Sequence, residues 1–236
     1  MKRTVLLLLL LIPAFVFLSA GDLATLENLG FSSDGKYFMF GQHVLETDKA
    51  MAYAEIGIVD VPENVYVPGG WKKQGWEVNI SPSLLSRGAL YELLEDSVAL
   101  KKKYGISHIE QGRLLYTRSN SDEIESAGDN VNDEGTPVLI FRDFERGRTF
   151  SLALIQEQKE SPGKVSASFY ITINVKNSSG KESEYKTGRP GYFRDNVSSY
   201  RIDRVWCGPD GDSIVIAVAK EYSDMSVRYM VETIRL

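Results

Sequence analysis

Between residues 165 and 175 apolar and polar side chains alternate without interruption. Val165, Ala167, Phe169, Ile171, Ile173 and Val175 share one face of an extended chain, and Ser166, Ser168, Tyr170, Thr172 and Asn174 share the other. A period of two with one apolar face predicts a strand of an antiparallel sheet, buried on one side only. Ile214-Val215-Ile216-Ala217-Val218-Ala219 is apolar on both faces, which predicts a central strand of the core. Gly30 to Phe40 places Asp34-Gly35 between two apolar stretches, a hairpin signal because glycine reaches positive φ without steric penalty. Tyr53–Val61 reads as a further strand, and Val65-Tyr66-Val67 as a short partner ending at Pro68-Gly69-Gly70.

The period changes once. Leu90, Leu93, Leu94, Ser97, Lys101 and Tyr104 fall on one helical face, behind Ser81-Pro82 as cap and first helical residue and ahead of Gly105 as a stop. Glu92, Glu95 and Asp96 precede Lys101 to Lys103, in the sense that complements a helix dipole. The spacing predicts one long helix over about 82–104, its charges forming a solvated face. Residues 119–136 are polar and acidic and predict a long exposed loop.

The two ends of the chain share a layout. Ile202–Cys207 leads through Gly208-Pro209-Asp210-Gly211 to Ser213–Ala219 and then Val227–Leu236. Asp34 and Asp210 lie 176 residues apart, as do Gly35 and Gly211, Leu26 and Ile202, Tyr53 and Tyr229, and Ile58 and Ile234. One unit of strand, Asp-Gly turn, strand, loop and strand is expected twice, the copies in adjacent sheet elements. The fold expected is mainly β with one long helix, its antiparallel sheets including propeller-blade-like units paired through the two chain ends.

Location is read from the first twenty residues. Lys2 and Arg3 precede an apolar run from Val5 to Leu18, followed by Ser19-Ala20-Gly21. That order is a secretory signal peptide, with cleavage expected after Ala20, and fourteen apolar residues fall short of the roughly 20 that span a bilayer. Residues 1–20 are therefore assigned to the signal and 21–236 to a single mainly-β domain with the helical insertion. The mature chain is expected to be periplasmic or secreted, without a membrane span. Loss of Lys2 and Arg3 takes the net charge from −5 to −7, which argues against nucleic acid as a partner. Cys207 is the only cysteine, so no intramolecular disulfide forms, and its place after Trp206 fits a buried structural thiol.

Residues 30–40, with Tyr53-Ala54-Glu55-Ile56 and Val59-Asp60-Val61 behind them, resemble a family of predicted secreted bacterial proteins of unknown function. That family opens with a Phe-Ser-Pro-Asp-Gly-Arg-Tyr-like hairpin, continues through Tyr-x-x-Ile and a Val-Ile-Asp-Val-like strand, and reaches a Val-Pro-Gly turn. Val67-Pro68-Gly69 matches the ending, and Ser33 stands where the pattern has proline. The hairpin also resembles blades of TolB-like β-propellers. The resemblance implies export and a β-rich fold; it implies no activity and no catalytic residues.

Candidate chemistry is sparse. His43 and His108 have neither HxxxH nor HxH spacing and no second cysteine to join them, so no metal site and no cofactor is expected. No G-x-S-x-G elbow, P-loop or G-x-G-x-x-G is present, although composition leaves a serine–histidine–acid arrangement open. Asp129 to Gly135 offers oxygen ligands but departs from EF-hand spacing, with Phe141 where the bidentate glutamate belongs. Asp34 and Asp210 sit beside glycines and are expected to build turns. Trp71 and Trp76, flanking Lys72-Lys73 before the helix with Tyr66 and Tyr91 near by, are the candidate binding residues. The chain is thus expected to be a binding module for an unknown protein or glycan of the cell envelope, with no catalytic residue assigned; the alternative is an envelope hydrolase using loop carboxylates.

Overall fold

The structure is a computed structural model that describes residues 21–81, 83–118 and 135–236. The expected signal segment, Pro82, most of the acidic loop and Asp129–Glu134 of the oxygen-rich segment lie outside the described residues. Three antiparallel sheets carry the chain. The amino-terminal sheet runs β4(Val65–Glu77)-β3(Met51–Asp60)-β2(Tyr37–Glu46)-β1(Thr25–Ser32)-β5(Ile106–Ser107). The carboxy-terminal sheet runs β14(Val227–Arg235)-β13(Ser213–Tyr222)-β12(Val197–Cys207)-β6(Arg113–Thr117). The third runs β10(Glu182–Gly188)-β9(Lys164–Lys176)-β8(Arg148–Ser161)-β7(Val138–Asp143), with β11(Arg194–Asp195) also on β9.

The carboxy-terminal sheet lies between the other two, and the two-sided apolar pattern of β13 follows from that position. Val215 and Ala217, with Trp206 and Val231, pack against Leu26, Phe31, Phe38, Phe40 and Val59 of the amino-terminal sheet. Ile214, Ile216 and Val218 face the other way, onto Phe150, Leu152, Phe169, Ile171 and Ile173. β9 buries its apolar face there, while Asn174 on its polar face is exposed. Free Cys207 is buried in the same layer, where burial pushes its thiol pKa up and away from reactivity.

The repeated unit is visible in the strand boundaries. β2 and β13 cover residues 37–46 and 213–222, and β3 and β14 begin at 51 and 227, all at the offset of 176. The two Asp-Gly turns touch: a Cβ on Gly35 would fall 2.6 Å from the Asp210 carboxyl carbon. Each aspartate builds its own turn. Asp34 accepts hydrogen bonds from the Ser32 hydroxyl (2.6 Å) and the Lys36 N–H (3.0 Å), which hold its pKa below the usual value. Asp210 accepts from the N–H (3.0 Å) and hydroxyl (2.8 Å) of Ser213. The units thus meet face to face in stacked sheets, and no closure into a propeller is found among the described residues.

The single long helix is not formed. The segment holds two short helices, α1(Arg87–Glu95) and α2(Val98–Lys103). The break is at Ser97, whose hydroxyl donates to the Leu93 carbonyl (2.8 Å) while its N–H turns to Leu94 three residues back (3.0 Å). A serine that competes locally for backbone partners ends a helix that its apolar spacing would continue. α1 buries Ala89, Leu90 and Leu93 on the outer face of the amino-terminal sheet, against Met39, Ala52, Ala54, Ile56 and Ile58; α2 buries no residue fully. None of the described helices is long and apolar enough to cross a membrane.

Candidate functional site: the two faces of the amino-terminal sheet

The sequence places Trp71 and Trp76 before a helix, beyond a Pro-Gly-Gly turn; in the structure both lie within the thirteen-residue strand β4. Proline is tolerated there because β4 is an edge strand, and a register shift between Gly57 and Val59 absorbs the irregularity. Trp71 pairs with Gly57 and Trp76 with Ala52, so the two indoles project from opposite faces. Trp76 is half-buried among the residues under α1. Trp71 stands edge-on to Tyr66, ring centroids 4.7 Å apart at 85°, and Tyr66 rests on Phe40 at 6.4 Å. The structure therefore brings Trp71 together with Tyr66, not with Trp76. Tyr91 is exposed on α1, over the opposite face from Trp71.

The Tyr66–Trp71 pair is open, each residue 38% exposed, on a strand whose outer edge has no neighbour in its sheet. Burial of the phenol, with Glu55 and Glu232 adding negative charge, raises the Tyr66 pKa, so it stays a neutral hydrogen-bonding group at ordinary pH. Behind it, Gln42 is buried. Its amide accepts from the Tyr229 N–H (2.8 Å) and donates to the Tyr229 carbonyl (3.0 Å) and Glu55 (2.8 Å), sealing the free edge of β14. Asn64, in the β3–β4 turn, donates to Thr187 of β10 (2.9 Å) and Glu232 of β14 (2.5 Å) and accepts from the Thr233 N–H (2.9 Å). One side chain thereby ties all three sheets beside the aromatic pair, holding Tyr66 and Trp71 on a fixed support.

The opposite face carries His43, only 5% exposed. Its Nδ1 lies 2.8 Å from the Ser86 hydroxyl at the start of α1, and its Nε2 lies 3.6 Å from Glu27 of β1. Arg87 holds the same Glu27 oxygen at 2.9 Å. Burial is the main cause that lowers the His43 pKa, partly offset by Glu27, so the native imidazole is neutral at pH 7. The unfolded chain, with an ordinary histidine near 6.5, takes up the proton first as pH falls. His43 therefore contributes stability that is complete above about pH 6.5 and lost as pH drops toward its folded pKa. His43→Gln is expected to flatten that part of the pH–stability profile in urea titrations between neutral and mildly acidic pH.

Other candidates resolve into structural roles. His108 bonds through Nδ1 to the Leu29 carbonyl (2.6 Å), and no group of three potential metal ligands occurs among the described residues. The buried acids are engaged separately. Asp143 is held by Arg113 (2.7 Å), Glu232 by Asn64 and Thr187, and Asp203, its pKa raised by burial, lies beside Arg204 (3.2 Å). No hydrogen bond joins two carboxylates among the described residues.

No curated protein matches the chain at a significant level. The family described as "Predicted secreted protein (DUF2259)" matches residues 39–235, from β2 through β14, and the chain belongs to that family of predicted secreted proteins of unknown function.

Proposed function

We propose that this protein is an exported recognition module, periplasmic or secreted, that holds a protein or glycan partner of the cell envelope on the Tyr66–Trp71 edge of β4. The observation that carries this reading is the aromatic pair itself. Two large rings stand half-open at fixed geometry on an edge strand, supported from below by Phe40 and beside them by the Asn64 network. Rigid aromatics offer large contact area at little cost in side-chain entropy, and their faces suit sugar rings and protein side chains alike. Lys73, two residues beyond Trp71 on the same face, is exposed and supplies a cationic rim.

The test is affinity capture from envelope extract with the processed chain, alongside co-sedimentation with peptidoglycan. Trp71→Ala is expected to weaken capture by roughly 30-fold or more, as truncation of an aromatic anchor does, whereas Trp76→Ala is expected to leave it within about threefold once folding is matched. Retention of a protein or of the glycan identifies the partner class. Equal capture by wild type and Trp71→Ala would overturn the assignment.

A further inference from the structure

The face under α1 holds a second arrangement that the recognition role does not use. Ser86, His43 and Glu27 come from the α1 start, β2 and β1, and lie in sequence hydroxyl–imidazole–carboxylate at 2.8 and 3.6 Å. The imidazole is buried, and its Nε2 has no hydrogen-bond partner. When Nδ1 accepts the Ser86 proton, Nε2 carries the ring hydrogen, and the nearest acid it faces is Glu27. Arg87 holds that same carboxylate oxygen at 2.9 Å. Ser86 itself is only partly buried.

Two further features belong to the same end of α1. The first N–H groups of α1, those of Arg87 and Gly88, have no intrahelical carbonyl to bond, and the positive end of the helix lies with them. Gly88 has no atom within 4 Å of where a Cβ would stand, so that end is open. A depression of about 320 Å³ adjoins the arrangement through Glu27 and Arg87; Leu90, Tyr91 and Leu94 are among its other walls, Ser86 and His43 are not, and it has an apolar side and a charged side.

We infer that Ser86 is a nucleophile, with His43 as its general base and Glu27 as the group that orients the imidazole, acting on carboxylic esters with an apolar acyl part. Ser86 Oγ adds to the ester carbonyl carbon as its proton passes to His43 Nδ1, and the oxyanion forms toward the Arg87 and Gly88 N–H groups. The carbon–oxygen bond to the alcohol breaks, and the alcohol leaves with the proton from His43. Water, deprotonated by the same nitrogen, then cleaves the acyl-serine, releasing the carboxylic acid and restoring the Ser86 hydroxyl. The nitrogens are used in the order opposite to the familiar triad, Nδ1 toward the serine; the chemistry requires only a base on one side and an acid on the other.

The experiment is labelling of the purified protein with an alkyl fluorophosphonate, a probe that phosphonylates activated serines, with the adduct located by peptide mass spectrometry. The expected result is one adduct per chain, on Ser86. Ser86→Ala abolishes it, and His43→Gln slows it on the order of 100-fold, the usual worth of a positioned base. Glu27→Gln, at a partly exposed position, gives a smaller slowing of the same reaction and serves if His43→Gln fails to fold, as judged by its unfolding curve. Ser83→Ala labels as wild type. Absence of an adduct, an adduct on another residue, or Ser86 labelling that neither the His43 nor the Glu27 substitution slows would overturn the inference and leave the three residues as the dock for α1.

Discussion

Phe38→Ala is expected to lower the stability of the protein by about 3–5 kcal/mol, measured as a fall in the urea midpoint. Phe38 is fully buried between the amino-terminal and carboxy-terminal sheets, with Phe31 at 4.5 Å, Trp206 at 6.0 Å and Phe40 at 6.4 Å between ring centroids. Removing the ring forfeits its transfer from water and leaves a void that neighbouring aromatic rings cannot collapse into without leaving their own contacts. Since stability as a whole amounts to roughly 5–15 kcal/mol, a loss of this size separates a folded population from a marginal one. Phe144→Ala is the comparison: that ring is 83% exposed, and the change is expected to stay within about 0.5 kcal/mol. Equal effects of the two substitutions would mean that the two sheets do not share the layer described.

Asn64→Asp is expected to cost about 3 kcal/mol at neutral pH although it changes a single group. The Asn64 amide donates to the buried Glu232 carboxylate at 2.5 Å and to Thr187, while its carbonyl accepts from Thr233. Aspartate keeps the acceptor and tolerates the left-handed backbone at this position, φ 52°. It replaces the donor with a second negative oxygen facing Glu232. Two facing carboxylates share a proton, so the pair's upper pKa is raised in the folded state. The stability deficit should therefore shrink as pH falls below that raised value and be full above it. Asn64→Ala loses the same hydrogen bonds without adding charge, and its deficit should vary less with pH. A pH-independent Asn64→Asp deficit would place Glu232 away from Asn64.

What could be read along the chain and what could not divide on physical lines. The one-sided alternation of β9 and the two-sided pattern of β13 state how many faces each strand buries, and the Asp-Gly turns with their offset of 176 locate the paired units. Those signals are local or repeat at a fixed spacing. Apolar spacing carries the helix past Ser97 because it says nothing about a hydroxyl that bonds the carbonyl four residues back. The sequence ends β4 at Pro68 because a proline stops an interior strand but not an edge strand, and which strand is the edge is a tertiary fact. The placement of the tryptophans follows from the same tertiary fact: with both in one strand, their separation of five residues puts them on opposite faces.

Half of the candidate recognition site was legible, since Trp71 and its neighbour Tyr66 stand close in sequence. The Asn64 support was not, because its partners Thr187 and Glu232 are more than a hundred residues away. The Ser86–His43–Glu27 arrangement carries no sequence motif at all. Its faint signal was a histidine among the residues of β2 that face α1, where Met39 and Gly41 precede it.

The central claim is that the Tyr66–Trp71 edge is the surface this protein presents to its partner. Hydroxyl-radical footprinting of residues 21–236, with and without envelope extract, tests it at residue level. The account predicts that oxidation of Tyr66 and Trp71 falls when extract is added, while Trp76 and Tyr91 on the opposite face are unchanged. Protection confined to that opposite face, with Tyr66 and Trp71 oxidised as in the free protein, would contradict it.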